Sequence, residues 1–188
     1  MQIPKFAAVK SKKIVITGGP GTGKTSVIER LEDQGHFCLH EVSREIIKKA
    51  RSKGIDQLFL TDPVLFSELL LEGRIQQYKE AESMVVDRVF IDRGVPDVIA
   101  YLDFFHTDYP PAFDQICDKY RYDQVFILPP WKKIYTGDNE RYESYEQAVG
   151  LHDQLNKSYT EMGYHPVEVP EGTVNQRISF ILEHIGKT

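Results

Sequence analysis

The segment from Lys13 to Thr25, KIVITGGPGTGKT, decides the fold of this chain. Its first five residues form a short β-branched run that is typical of a buried strand. The next eight, Gly18 to Thr25, match the pattern G-x-x-x-x-G-K-[ST], and a helix is predicted from Lys24 to Gln34. This order of strand, loop and helix predicts a phosphate-binding loop. A turn that merely links a strand to a helix is the alternative, and the four glycines followed by Lys-Thr argue against it.

Each residue type in the loop has a physical task in holding a purine nucleoside triphosphate. Glycines let backbone N–H groups converge on phosphate oxygens, and the helix N-terminus adds the positive end of its dipole. Lys24 is expected to reach the β- and γ-phosphates, and the Thr25 hydroxyl to ligate Mg²⁺. No Asn-Lys-x-Asp guanine-reading motif occurs, which favours ATP over GTP. The predicted cofactors are ATP and Mg²⁺, and the predicted nucleotide-binding residues are Gly18, Gly19, Pro20, Gly21, Thr22, Gly23, Lys24, Thr25 and Ser26.

The composition indicates one globular domain spanning residues 1–188. The chain has 188 residues, a net charge of −5 and a pI of about 5.7. A protein that grips a nucleic-acid polymer usually carries a basic stripe, so no such partner is expected. No apolar run is long enough for a membrane span, and residues 1–13 lack the apolar core of a signal peptide. We therefore expect a cytoplasmic protein, in which Cys38 and Cys117 are reduced, buried thiols.

Four more apolar runs read as strands, and they alternate with helical segments. Such alternation predicts an α/β fold with a parallel sheet and helices on both faces. Asp62-Pro63 marks one helix start, with Asp as N-cap and Pro at the first position. The further predicted strands are 36–41, 89–92, 124–128 and 165–169, and the further predicted helices are 43–53, 62–83, 96–105, 145–162 and 173–185, with a short one opening at Pro110-Pro111.

Two carboxylates follow predicted strands, where ligands bind in open α/β sheets. Glu41 ends the second strand and Asp92 the third, and both lie beside the loop if the strand order is 2-3-1-4-5. Phosphoryl transfer needs one group that holds Mg²⁺ and one that accepts the acceptor's proton, a pair of roles that these carboxylates could divide. Arg44 and Arg93 could grip an anionic substrate or neutralise developing charge. Alternatively, Asp92-Arg93 is a structural salt bridge, and Glu41 is merely a neighbour of a helix N-cap.

Two later segments complete the set of candidate residues. The polar stretch around 130–145 is predicted to be a lid, with Arg141 closing over the phosphates and Lys132 and Lys133 as weaker candidates. A solvated charged turn is the alternative. Gly172 and Thr173 could let the backbone approach a purine ring, although Gly-Thr could equally be a turn and a helix N-cap.

Several segments together resemble a known family, over about residues 13–185. They are GGPGTGKTS, HEVSREII, FIDRGVPDVIAYL and LPPWKKIYTGDNERYESYEQAVGLHDQL. The chain resembles the small P-loop ATPases related to the ribosylnicotinamide kinase domain of bacterial NAD-biosynthesis regulators, an AAA-type group of predicted ATPases. The resemblance implies a nucleoside- or nucleotide-kinase-like core with five parallel strands in the order 2-3-1-4-5. It also implies site roles for Glu41, Arg44, Asp92, Arg93 and Arg141.

The leading functional hypothesis is a Mg²⁺-dependent phosphotransferase that uses ATP and a small-molecule hydroxyl or phosphate acceptor. The predicted catalytic residues are Lys24, Glu41, Asp92, Arg93 and Arg141, with Thr25 and Asp92 as metal ligands and Arg44 and Arg93 as substrate ligands. The alternative is a switch or binding module that uses ATP or GTP to set a conformation for a protein partner. The sequence leaves the acceptor, the oligomeric state and the division of roles between Glu41 and Asp92 open.

Overall fold

The computed structural model describes residues 11–55, 57–135 and 144–186. Five strands and eight helices alternate along these residues. In chain order they are β1 (Lys12–Thr17), α1 (Lys24–Asp33), β2 (Phe37–Leu39), α2 (Ser43–Ser52), α3 (Leu58–Thr61), α4 (Pro63–Ser83), β3 (Arg88–Asp92), α5 (Pro96–Phe104), α6 (Ala112–Lys119), β4 (Gln124–Ile127), α7 (Tyr145–Glu161), β5 (Val167–Glu168) and α8 (Val174–Ile185).

The strands form one parallel sheet in the order β2-β3-β1-β4-β5, which confirms the predicted fold class and strand order. The central strand β1 pairs with β3 on one side and β4 on the other. Its side chains alternate between two cores because successive residues of a strand point to opposite faces. Ile14 and Ile16 pack with α1 and α8, whereas Val15 packs with α4, α5 and α7. The sheet is therefore the middle layer of three.

Local sequence signals account for where several helices begin. Asp62 accepts a hydrogen bond from the backbone N–H of Leu65 at 3.0 Å, and Pro63 is the first residue of α4, as predicted. Ser144 and Gln147 form a capping box at the start of α7. None of the helices in the described part of the chain is long and apolar enough to cross a bilayer.

The edge strands are shorter than the sequence predicts. Residues 36–41 read as a strand, but only Phe37–Leu39 pair with β3, from Phe37 opposite Val89 to Leu39 opposite Ile91. His40 and Glu41 leave the ladder and line a cavity instead. At the other edge, β5 contains only Val167 and Glu168, and Pro166 has no N–H to offer the sheet. The short helix α3 is not predicted by the sequence.

Candidate phosphate and acceptor site

The loop between β1 and α1 turns on glycines in conformations that side chains rarely adopt. Gly21 and Gly23 have φ angles of 72° and 81°, in the left-handed region. Gly18 has a φ of 145°, and a Cβ added there would lie 2.5 Å from the carbonyl oxygen of Leu128. These positions therefore require glycine, which leaves the backbone free to curl at the N-terminus of α1.

Lys24 begins α1 and folds back over the loop. Its ammonium donates to the carbonyl oxygens of Gly18 at 2.7 Å and Gly19 at 2.8 Å. Burial, and to a smaller extent the nearby guanidinium of Arg93, lower the pKa of Lys24 to about 7 against the opposing effect of Asp92 and Glu41. A phosphate anion in the loop would supply the negative charge that this buried ammonium lacks.

One cavity of about 280 Å³ lies above the loop and brings together most of the predicted site. Glu41 and Asp92 share it with the loop, as expected from the strand order, and Arg44 lines it as well. His40 also lines it, although the sequence analysis gave this residue no role. The cavity is lined by Pro20, Gly21, Thr22, Gly23, Lys24, Thr25, Ser26, His40, Glu41, Arg44 and Asp92.

Asp92 ends β3 beside the base of the loop, since it pairs in register with Ile16 of β1. Its side chain is 5% exposed, and its Oδ1 atom has no hydrogen-bond partner among the described residues. Burial raises the pKa of this carboxyl against the opposing effect of Lys24. A buried carboxylate oxygen without a donor is costly unless a ligand satisfies it.

The two predicted magnesium ligands, Asp92 and Thr25, line the same cavity. The Thr25 side chain is exposed. The described residues contain no cluster of three or more His, Cys, Asp or Glu side chains that could hold a metal. Mg²⁺ does not need such a cluster, because it usually takes one or two protein oxygens together with phosphate oxygens and waters.

Glu41 forms ion pairs with two arginines. The Nε atom of Arg93 contacts Glu41 Oε2, and Nη2 of Arg74 lies 3.4 Å from Oε1. Burial alone would raise the pKa of the Glu41 carboxyl, but Arg93 and Arg74 together bring it below its ordinary value. Among the described residues, Arg93 pairs with Glu41 and Asp97 and not with Asp92, so the alternative of a structural salt bridge between Asp92 and Arg93 is wrong.

Asp97 is the central residue of this network, and the sequence analysis did not single it out. It lies in the first turn of α5, is fully buried, and its Oδ1 lies 3.2 Å from Arg93 Nη1. Its position after Pro96 indicated a helix start and nothing more. Its partners come from β1, the segment after β3 and α7, so no local pattern brings them together.

Arg177 is a second residue that the sequence analysis did not find. It lies in α8, is 2% exposed, and donates from Nη1 to the carbonyl oxygen of Thr22 at 2.7 Å. Its guanidinium lies over the ring of Trp131, 5.5 Å from the centroid. Within the described chain, its Nε and Nη2 atoms have no hydrogen-bond partner. Arg177 therefore ties the phosphate-binding loop to the last helix.

A second, open groove of about 460 Å³ lies beside the loop. Ser26 and Thr173, both predicted to contact the nucleotide, line it together with Arg30 and Asn175. Thr173 is also the N-cap of α8, where it forms a capping box with Gln176. Thr173 therefore both caps α8 and lines the groove.

The predicted lid is only partly within the described residues. Arg141 lies outside them, so the structure gives it no position. Lys132 and Lys133 are exposed, and the ammonium of Lys132 lies 5.9 Å from the ring centroid of Tyr145 at the start of α7. The lid therefore stays a prediction.

The profile of the AAA domain family matches residues 13–177, which is most of the chain. The chain belongs to the AAA domain family. This agrees with the resemblance drawn from the motifs, since the matching region contains all four quoted segments. A search of curated protein sequences gives no match.

Solved structures similar to this chain are kinases and a NadR protein. A NadR protein in complex with NR has a TM-score of 0.68 and 19% identity, over 94% of this chain and 50% of that one. Deoxyadenosine kinase from M. mycoides has a TM-score of 0.65 and 17% identity, over 93% and 98%. Thymidylate kinase from Ehrlichia chaffeensis has a TM-score of 0.61 and 17% identity, over 94% and 99%. The chain thus has a P-loop kinase-like fold and spans about half the length of the NadR chain.

Proposed function

We propose that this protein is a Mg²⁺-dependent kinase that transfers the γ-phosphoryl group of ATP to a hydroxyl group of a small molecule. One observation carries the proposal. The carboxylate of Glu41, paired with Arg93, lies in the same cavity as the phosphate-binding loop and Asp92. The proposed binding site for the phosphoryl donor and the proposed proton acceptor, Glu41, therefore line the same cavity.

The chemistry of Glu41 favours a hydroxyl acceptor over a phosphate. An alcohol is almost un-ionised at neutral pH, so its attack benefits from a base, and the lowered pKa keeps Glu41 ionised. A phosphate monoester is already anionic and would be repelled by Glu41 and Asp92. Arg93 and Arg74 are paired with carboxylates or backbone. Among the described residues that line the cavity, the lysine and arginine side chains are Lys24 and Arg44.

The residues of the chain divide the transfer step as follows. The loop N–H groups hold the triphosphate, and Lys24 exchanges its contacts with Gly18 and Gly19 for the β- and γ-phosphates. The acceptor oxygen attacks the γ-phosphorus while its proton passes to Glu41. The bond from that phosphorus to the bridging oxygen of the β-phosphate breaks, and ADP leaves. Arg93 contacts Glu41 and holds that carboxylate in its ionised form.

Thr25 and Asp92 would hold Mg²⁺, either directly or through water. When bound, the ion would neutralise negative charge on the triphosphate. The groove lined by Ser26 and Thr173 is the proposed site of the purine, because it shares Ser26 with the cavity above the loop. Arg141 remains the proposed lid arginine.

A screen for acceptors tests the proposal. ATP and Mg²⁺ are combined with ribosides, deoxynucleosides and small alcohols, and with the matching monophosphates, and ADP release is measured. We choose nucleosides first because the similar structures include a NadR protein with NR and a deoxyadenosine kinase. A hydroxyl compound should raise ADP release at least tenfold over slow hydrolysis.

The matched variants are Glu41→Gln and Glu45→Gln, the second of which changes an exposed glutamate on α2. Glu41→Gln should lower turnover by about 10²- to 10⁴-fold, which is the usual contribution of a general base, and leave ADP binding nearly unchanged. If Glu41→Gln and Glu45→Gln had equal turnover, Glu41 would not be the general base. If nucleotides bind but no acceptor is consumed, the kinase proposal fails and the nucleotide-dependent switch replaces it.

A further inference from the structure

Asp97 is a fully buried carboxylate that no step of the proposed reaction uses. Its Oδ1 atom accepts from the Thr17 hydroxyl at 2.5 Å and from Nη1 of Arg93 at 3.2 Å. Its Oδ2 atom accepts from the Tyr159 hydroxyl at 2.6 Å and from the backbone N–H of Gly94 at 2.9 Å. Each oxygen thus has two donors, so the carboxylate is held in one orientation.

These donors come from three separate parts of the fold. Thr17 is the last residue of β1, directly before the phosphate-binding loop. Arg93 and Gly94 follow β3, and Tyr159 lies on α7, where it is fully buried. Asp97 is therefore a fixed point shared by the loop, the segment that carries Arg93, and the helix that follows residues 136–143 in the chain.

The segment after β3 is strained and tightly packed at this point. Arg93 has a φ of 71°, in the left-handed region that non-glycine residues rarely adopt. A Cβ added to Gly94 would lie 2.5 Å from the Tyr159 hydroxyl. The carbonyl oxygen of Gly94 accepts from Arg74 Nη1 at 2.7 Å. Strain of this kind persists only where surrounding contacts fix the backbone.

We propose that Asp97 is the positioning residue that holds the guanidinium of Arg93 against Glu41, with Thr17 and Tyr159 fixing Asp97 itself. This proposal rests on the proposed function, in which Glu41 accepts the acceptor's proton. A guanidinium is a planar group with donors in fixed directions. Because Arg93 contacts Glu41 through Nε and Asp97 through Nη1, the two carboxylates together define its plane. An error of about 1 Å in such a group lowers a rate by about 10².

A purely structural role is the competing explanation, in which Asp97 only anchors the first turn of α5. The two explanations differ in how Asp97 and Arg93 combine. If Asp97 acts through Arg93, its replacement has no further effect on kcat once Arg93 has been changed. If Asp97 only stabilises the fold, the two effects on kcat are independent and multiply.

The test compares Asp97→Asn with Asp103→Asn, alone and in an Arg93→Gln background. Asp103 is a matched control because it lies on the same helix and also contacts α7, through Gln154 at 3.3 Å. With ATP, Mg²⁺ and the acceptor found by the screen, Asp97→Asn should lower kcat about 30- to 300-fold. The Kd for ADP should change less than threefold. Asp103→Asn should leave both unchanged, and Asp97→Asn should change kcat less than threefold in the Arg93→Gln background.

A second readout is independent of kinase activity. The Arg93 Nε–H, observed by ¹H–¹⁵N NMR and assigned from its loss in Arg93→Gln, should exchange with solvent at least tenfold faster in Asp97→Asn than in wild type. Asp103→Asn should not change this rate. If no acceptor exists, the proposed function fails while faster exchange still supports the positioning role.

The proposal would be overturned if Asp97→Asn left exchange of the Arg93 Nε–H unchanged. It would also be overturned if the effects of Asp97→Asn and Arg93→Gln on kcat multiplied. Should Asp97→Asn not fold, Tyr159→Phe replaces it in every arm, because it removes one of the four hydrogen bonds and keeps the carboxylate. It is expected to lower kcat three- to tenfold and to speed exchange of the Arg93 Nε–H, and no change in either would count against the proposal.

Discussion

The guanidinium of Arg93 contacts the carboxylate of Glu41 across the gap between the ends of two neighbouring strands. Glu41 lies two residues beyond β2, and Arg93 directly follows β3. This contact places a positive and a negative group side by side at the edge of the cavity. The ionisation of Glu41 therefore contributes both to the proposed chemistry and to stability.

The lowered pKa of Glu41 predicts how stability depends on pH. A carboxyl whose pKa is lower in the folded state contributes stability above its unfolded pKa of about 4.3, and this contribution disappears as the pH falls through the folded value. Wild-type protein should thus lose its stability advantage over Glu41→Gln progressively as the pH is lowered below about 4.3. Urea unfolding at several pH values measures this difference. Parallel stability curves for the two proteins would contradict it.

The lowered pKa of Lys24 predicts that the protein takes up a proton when it binds a nucleotide. Its pKa is about 7 in the nucleotide-free protein, and bound phosphates raise it. Binding at pH 8 should therefore take up close to one proton, and affinity for ADP should fall by up to about tenfold per pH unit above 7. Calorimetry at pH 8 in two buffers of different ionisation enthalpy gives the number of protons directly. Identical enthalpies in both buffers would show that Lys24 is already charged.

The proposed metal role of Asp92 predicts that its replacement weakens the binding of Mg²⁺. Asp92→Asn removes a charge that would face Mg²⁺, so the metal concentration for half-maximal turnover should rise and turnover should fall at least ~100-fold. ADP binding without metal should not weaken, because the lost carboxylate repels phosphates. Magnesium titrations of turnover and of ADP affinity measure both effects. Asp92→Asn with a wild-type magnesium dependence would leave Asp92 without a metal role.

The tight packing around Gly94 predicts that an alanine at this position destabilises the fold. An alanine Cβ would lie 2.5 Å from the hydroxyl of Tyr159 and 3.0 Å from the ring of Tyr122, both in the core. Overpacking of this kind costs roughly 1–3 kcal/mol, so Gly94→Ala should lower the free energy of unfolding by that amount. Gly186→Ala is the control, since a Cβ there would be no closer than 3.5 Å to its neighbours. Equal stability of the two variants in urea unfolding would contradict the packing argument.

The hydrogen bond from Arg177 to the phosphate-binding loop predicts that replacing Arg177 weakens nucleotide binding more than it lowers stability. Arg177→Met keeps most of the side-chain volume but removes the donor to the Thr22 carbonyl. Two of its guanidinium nitrogens are buried without partners in the described residues, so removing the charge should change unfolding free energy by less than about 1 kcal/mol. The loosened loop should bind ADP three- to tenfold more weakly. ADP titration and urea unfolding of the same samples separate the two effects. Unchanged affinity for ADP would show that Arg177 contributes only to packing.

The sequence by itself determined the phosphate-binding loop and the layered α/β fold. Both depend on local patterns: glycines next to Lys24 and Thr25, and short apolar runs alternating with helical segments. Such patterns act over a few residues, so they can be read without long-range information. The position of Asp92 at the end of β3 followed from the same local reading, whereas Glu41 lies two residues beyond the end of β2.

Only the tertiary structure decided which side chains meet. Asp97 contacts Thr17, 80 residues away, and Tyr159, 62 residues away, and Arg177 reaches Thr22 across 155 residues. It also decided that β2 ends at Leu39, after which His40 and Glu41 line the cavity. The physical reason is that a buried charge takes its partners from wherever packing brings donors within hydrogen-bond distance, and no local periodicity records that distance.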